Sequence, residues 1–146
     1  MESVMDLQSI TNVEILGRLA LSALISGIIG FEREKNHRSA GLRTNMLVAI
    51  GSCLIMLLSI KMHEMYGADP ARIAAQVVSG IGFLGAGTII TRTGGNGVQG
   101  LTTAATLWVN SGIGLTIGSG LYFGGIVTGI IVLIVLAILA KIPVEK

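Results

Sequence analysis

Charge is scarce in this chain. Asp, Glu, Lys and Arg fill 12% of 146 positions, against about 25% in soluble domains. That excludes an ordinary soluble domain with a solvated surface, and a net charge of +2 says little about nucleic acid, which is not an expected partner. Cysteine is nearly absent: Cys53 stands alone in an apolar run, so no intrachain disulfide can form, and a thiol packed among helices is the plain reading. The two histidines, His37 and His63, are too few for histidine-based zinc chemistry, and no Ser-His-Asp, Cys-His or HExxH arrangement occurs. We expect no enzymatic activity and no cofactor, with Mg²⁺ left open. Glu2 and Asp6 stand where a signal peptide would carry a basic region, and no small-residue cleavage site follows, so none is expected.

What the chain has instead is apolar length. Residues 13–31, 44–62, 71–90, 101–118 and 121–140 are each about long enough to cross the ~30 Å hydrocarbon core as a helix. Backbone polar groups in lipid must pair within their own segment, which favours helices. The expected fold is all-α, a polytopic membrane bundle of about five spans forming one transmembrane domain over 1–146. Alternation over five spans puts Arg33, Lys35, Arg38, Arg43, Arg92, Lys141 and Lys146 on one side, with Lys61 and Arg72 near the other. This bias predicts the N-terminus outside and the C-terminus in the cytoplasm. The fourth span, with Thr102, Thr103, Thr106, Asn110, Ser111 and Thr116, is costly facing lipid. The third and fourth spans are therefore expected near the centre, and the fifth, with its apolar run 130–136, against lipid.

Glycine is abundant where the charge is not. Fifteen of the 21 glycines fall between Gly80 and Gly129. Gly114/Gly118, Gly120/Gly124 and Gly125/Gly129 have GxxxG spacing, and Gly82/Ala86 is a small-xxx-small pair. Such spacing lets helix backbones approach closely. Gly80, Gly82, Gly85, Gly87, Gly114 and Gly118 are the expected packing residues, within one subunit or between copies. A homo-oligomer, a dimer first, is expected, since five helices have few ways to shield polar central ones. Gly80-Ile-Gly-Phe-Leu-Gly85 matches GxGxxG but follows no strand, so nucleotide binding is not expected. The Thr91–Gly100 loop could cup an anion with Arg92 assisting, or serve as a flexible connector.

Polar residues inside spans mark a site by default. Here they recur at helical spacing: Glu14, Arg18, Ser22 and Ser26; Asn45, Ser52 and Ser59; Asp69, Arg72, Gln76 and Ser79; Thr102, Thr106 and Asn110. They suggest a bundle interior that is polar toward its outer half. Asp69, Arg72 and Gln76 would form a central polar site flanked by a Glu14–Arg18 ion pair. Asp69-Pro70 also reads as an N-cap with proline at the first helical position. In the cytoplasmic run 32–43, the basic residues suit anionic lipid headgroups, and Glu32 and Glu34 could supply oxygens to a hydrated Mg²⁺.

Gly30-Phe-Glu-Arg-Glu34, Ala40-Gly-Leu-Arg-Thr-Asn45, Asp69-Pro-Ala-Arg72, the run Gln76 to Gly87, and Gly100-Leu-Thr-Thr-Ala-Ala-Thr-Leu-Trp108 together resemble the MgtC/SapB family over roughly residues 15–125. The resemblance implies a multi-pass bacterial inner-membrane protein, tied to growth at low Mg²⁺ and to virulence. Some members are thought to alter membrane energetics through a partner such as the ATP synthase. The family's important polar residues fall on Glu32, Arg33, Arg43, Asp69, Arg72 and Gln76, with Glu34, Thr44 and Asn45 in the same motifs. Better-known members continue into a cytoplasmic domain, whereas this chain stops at Lys146. The expected function is support of Mg²⁺ homeostasis or membrane energetics by regulating a membrane partner. The alternative is an Mg²⁺ or H⁺ transporter or channel with its path through the polar interior.

Overall fold

Thr11 starts the first helix. Its hydroxyl accepts from the Glu14 amide at 3.3 Å, while the Glu14 carboxylate accepts from the Thr11 amide at 3.0 Å, a reciprocal capping box that satisfies two otherwise free donors. The computed structural model describes residues 10–91 and 98–141. Its helices are α1 (Asn12–Lys35), α2 (Leu42–Tyr66), α3 (Pro70–Gly87), α4 (Leu101–Gly118) and α5 (Tyr122–Ala137), followed by a short 3-10 turn at Leu139–Lys141. One helix overlaps each expected apolar stretch, with α1 and α2 running up to four residues beyond theirs. By length and composition α1 and α2 qualify as membrane-crossing, and α5 is a shorter apolar helix.

The ends are set by local chemistry. Gly67 closes α2 in the left-handed region at φ 66, as a helix C-terminus favours. Two residues later the Asp69 carboxylate accepts from the Ala71 amide at 2.9 Å, with Pro70 at the first helical position. Between α3 and α4, β1 (Ile90–Thr91) pairs antiparallel with β2 (Val98–Gln99), where the sequence suggested an anion-cupping loop or plain connector. Residues 92–97 of that loop, Arg92 included, lie outside the described residues, as do Glu2, Asp6 and Lys146.

The centre of the bundle differs from expectation. α4 packs against α1, α2, α3 and α5, and α2 against α1, α3 and α4. The core joins Ile29, Cys53, Leu57, Ile113, Ile117 and Leu136. At Gly118 an added Cβ would lie 2.8 Å from the Cys53 carbonyl, and at Gly114 one would meet the Ala49 carbonyl, so α2 and α4 touch backbone to backbone. α3, expected at the centre beside α4, lies at the edge. It docks on α2 and α4 through the seam Ala74, Ile81 and Gly85, and most of its remaining residues are exposed.

Candidate functional site

Three of the four polar stripes turn inward. Ser22 and Ser26 of α1, Asn45, Ser52 and Ser59 of α2, and Thr106 and Asn110 of α4 are all buried, joined by Thr103 and Ser111. Most hydroxyls satisfy themselves locally. Ser26 donates to the Ser22 carbonyl at 2.6 Å, Ser52 to Val48 at 2.7 Å and Thr106 to Thr102 at 2.7 Å, the back-bonding common for Ser and Thr in helices. Asn45 and Asn110 do more. Asn110 Nδ2 donates to Asn45 Oδ1, and Asn45 Nδ2 donates to the carbonyls of Ala40 at 2.7 Å and Gly41 at 2.8 Å. One amide thus ties α4 to α2 and holds the α1–α2 turn.

The fourth stripe turns outward. Arg72, Gln76 and Ser79 are exposed, and none makes a side-chain hydrogen bond to the described residues. Gly80, Gly82 and Gly87 face open space, whereas Gly85 packs on Ala104. Phe83 is 84% exposed. The grouping of Asp69, Arg72 and Gln76 with Glu14 and Arg18 around one interior site is therefore not present in a single chain. Asp69 is the α3 cap, and its neighbours face away from the bundle because the α3 seam is built from Ala74, Ile81 and Gly85 instead.

Arg18 has its own cluster. Nε donates to the Tyr122 hydroxyl at 2.9 Å, Nη1 donates to the Gly118 carbonyl at 2.8 Å, and Nη2 stands 3.7 Å from Glu14. The guanidinium carbon lies 5.7 Å from the Tyr122 ring centre. Arg18 thus closes the α4–α5 turn from α1. A cavity of ≈300 Å³ beside it reaches His63, Glu64 and Pro70. Tyr122 and Gly118 were not singled out as its partners from the sequence. Only the tight turn at 119–121, read together with the Arg18 position, hints at them.

At the other end of the bundle, the Glu32–Asn45 motif divides into separate tasks. The Glu34 carboxylate accepts from the Leu42 amide at 2.9 Å, capping α2 from α1. Asn45 is the core amide already described. Arg43 and Thr44 are exposed. Glu32 accepts from Asn36 Nδ2 at 2.7 Å, and buried Arg33 donates from Nη2 to Thr103 Oγ1 at 3.1 Å. With Glu34 committed as a cap, the Glu32/Glu34 oxygen pair suggested for Mg²⁺ is divided between two jobs. No cluster of three or more His, Cys, Asp or Glu able to hold a metal occurs among the described residues. A half-open cavity of ≈1350 Å³ spans this end, lined by Glu32, Arg33, Arg38, Thr103 and Lys141 among others.

A family model described as "MgtC family" matches residues 19–144. "Putative magnesium transporter YhiD" of Escherichia coli (strain K12) is 45% identical over 131 residues, which cover 86% of this chain and 60% of that protein. "Protein MgtC" of Brucella abortus (strain 2308) is 48% identical over 121 residues, covering 83% and 49% respectively. A protein of Haemophilus influenzae is 36% identical over 127 residues, covering 82% and 53%. The chain thus spans about half to three-fifths of the length of these relatives. No solved structure matches it.

Proposed function

The chain belongs to the MgtC family, and from that premise we propose that it is a multi-pass inner-membrane bundle serving Mg²⁺ homeostasis or membrane energetics by contact with another membrane protein. The observation that carries this reading is the outward face of α3. Arg72, Gln76 and Ser79 are exposed beside the open glycines Gly80, Gly82 and Gly87. An intramembrane Arg at the centre of a span costs about 2.5–3.5 kcal/mol on insertion scales. Arg72, near its helix end, escapes part of that by snorkelling, but Gln76 and Ser79 lie deeper. A covering helix with its own polar groups removes the cost, and the glycines let it approach closely. The occupant is a second copy or a partner helix.

One specific observation favours transport as the second reading: a relative carries the printed name "Putative magnesium transporter", and this chain has a polar belt. Against a path through one subunit, the ≈300 Å³ and ≈1350 Å³ cavities lie at opposite ends of the bundle, separated by the Asn45–Asn110 pair and the α2–α4 backbone contact.

The test is Mg²⁺ and H⁺ flux into liposomes holding only the purified protein, with Asp69→Asn as control. In parallel, Phe83→Cys in a Cys53→Ser background is oxidised in native membranes. No flux and a cross-linked α3 face are expected. Flux abolished by Asp69→Asn would replace this reading with transport.

A further inference from the structure

The cavity at the C-terminal end of α1 holds two buried polar atoms whose hydrogen-bonding capacity is unused. Arg33 is 5% exposed, yet its Nε has no hydrogen-bond partner among the described residues, and neither does Glu32 Oε2. An unpaired buried charge is costly, much more so than a paired one. Among the described residues, the one side-chain bond of Arg33 goes to a neutral hydroxyl, that of Thr103, and Ser39 shares the same hydroxyl at 3.3 Å.

A second donor set opens at the same place. α4 is 18 residues long and begins behind Gly100 with no side-chain cap. Among the described residues no side chain caps its first amides, which stand at the positive end of the helix dipole, the arrangement that receives anions. Gly100 at φ 92 lets the chain turn into α4 close beside the Thr88 carbonyl, which a Cβ there would run into. Thr102 and Thr103, in that first turn, line the cavity together with Arg33, Arg38 and Lys141.

Glu32 gives the site its selectivity. Among cationic and amide donors, an acceptor-only carboxylate repels a fully deprotonated anion but accepts a hydrogen bond from one that keeps a proton. Phosphate monoesters have a second pKa of about 6, so at pH 7 about a tenth still carries a P–OH, and a hydrogen bond to Glu32 would select that form. Sulfate carries none. We propose that this cavity binds a protonated phosphate group, as orthophosphate or as a phosphomonoester, with Arg33 and the α4 N-terminus holding the oxygens and Glu32 accepting the P–OH. Loss of one hydrogen bond to a charged group weakens binding by about tenfold or more, so phosphate should outcompete sulfate by at least that factor.

The test uses the full chain in phosphatidylcholine nanodiscs, with labelled orthophosphate as probe and sulfate as competitor. Saturable binding, resistant to sulfate and lost in Arg33→Gln, is expected and would identify a free anion as ligand. Glu32→Gln adds a donor and should bring the phosphate-to-sulfate ratio close to one while retaining binding, a readout that a folding defect would not produce. If orthophosphate fails to bind but phosphatidic acid added to the discs is enriched around the wild type and not around Arg33→Gln, the same chemistry is met by a lipid phosphomonoester headgroup. Absence of both from folded wild-type protein overturns the proposal. An unchanged phosphate-to-sulfate ratio in Glu32→Gln overturns the assignment of Glu32.

Discussion

Gly118→Ala tests the backbone contact between α2 and α4. A Cβ at Gly118 would sit 2.8 Å from the Cys53 carbonyl oxygen and 2.8 Å from Met56 Cβ. Comfortable carbon contacts begin near 3.5 Å, so the helices must part by about 0.7 Å. The Cys53 carbonyl is backbone within α2 and cannot swing aside. Overpacking of this kind costs about 1–3 kcal/mol, and because Gly118 is the last residue of α4, alanine there returns less than the roughly 0.5–1 kcal/mol of backbone entropy gained at a mid-helix position. The net expectation is a loss of about 1–2 kcal/mol. Gly112→Ala on the same helix is the matched control, because nothing lies within 4 Å of its Cβ position. It should gain roughly 0.5–1 kcal/mol, since only the entropy effect remains. Reversible unfolding in mixed micelles by SDS titration measures both. Opposite signs are expected, and a Gly118→Ala protein as stable as Gly112→Ala would refute the backbone contact between α2 and α4.

Other substitutions probe the remaining contacts by the same titration. Asn110→Ala strands the Asn45 amide oxygen and should cost about 1–3 kcal/mol; a double-mutant cycle with Asn45→Ala should show coupling of at least about 0.5 kcal/mol. Glu34→Ala removes the cap on Leu42 and should cost roughly 0.5–2 kcal/mol, with amide exchange rising first at the start of α2. Tyr122→Phe deletes the acceptor for Arg18 Nε while keeping the ring beneath the guanidinium, so a loss of about 1 kcal/mol is expected. The same loss in an Arg18→Met background would show that the hydroxyl acts elsewhere.

Helix positions were legible in the sequence because apolar length and cap chemistry are local. Asp69-Pro70 announced the start of α3, and the Ser and Thr spacing announced shared faces. Which way a face turns was not legible. Periodicity places Arg72, Gln76 and Ser79 together, but the direction of that stripe depends on the seam Ala74, Ile81 and Gly85 meeting α2 and α4, a contact between distant parts of the chain. The α1–α4 bond from Arg33 to Thr103 spans 70 positions, and no local pattern signals it. The α2–Glu34 cap was hidden for a similar reason: the acid lies eight residues upstream, beyond the reach of capping-box spacing. The short β1–β2 ladder was missed because two-residue strands leave almost no alternation to detect.

The seam between α2 and α4 also sets how far one helix can slide along the other. The hydroxyls of Ser52 and Thr106 bond within their own helices, so they travel with whichever helix moves and set no register. Two features distinguish one axial position from the next, about 5.4 Å away along the helix: the glycines that alone fit against the Ala49 and Cys53 carbonyls and the Asn45–Asn110 amide pair. A displacement of one turn would break that bond and leave Asn45 Oδ1 and Asn110 Nδ2 buried without it, while Asn45 Nδ2 keeps its bonds to Ala40 and Gly41, so the helices have one resting position and a defined threshold for leaving it.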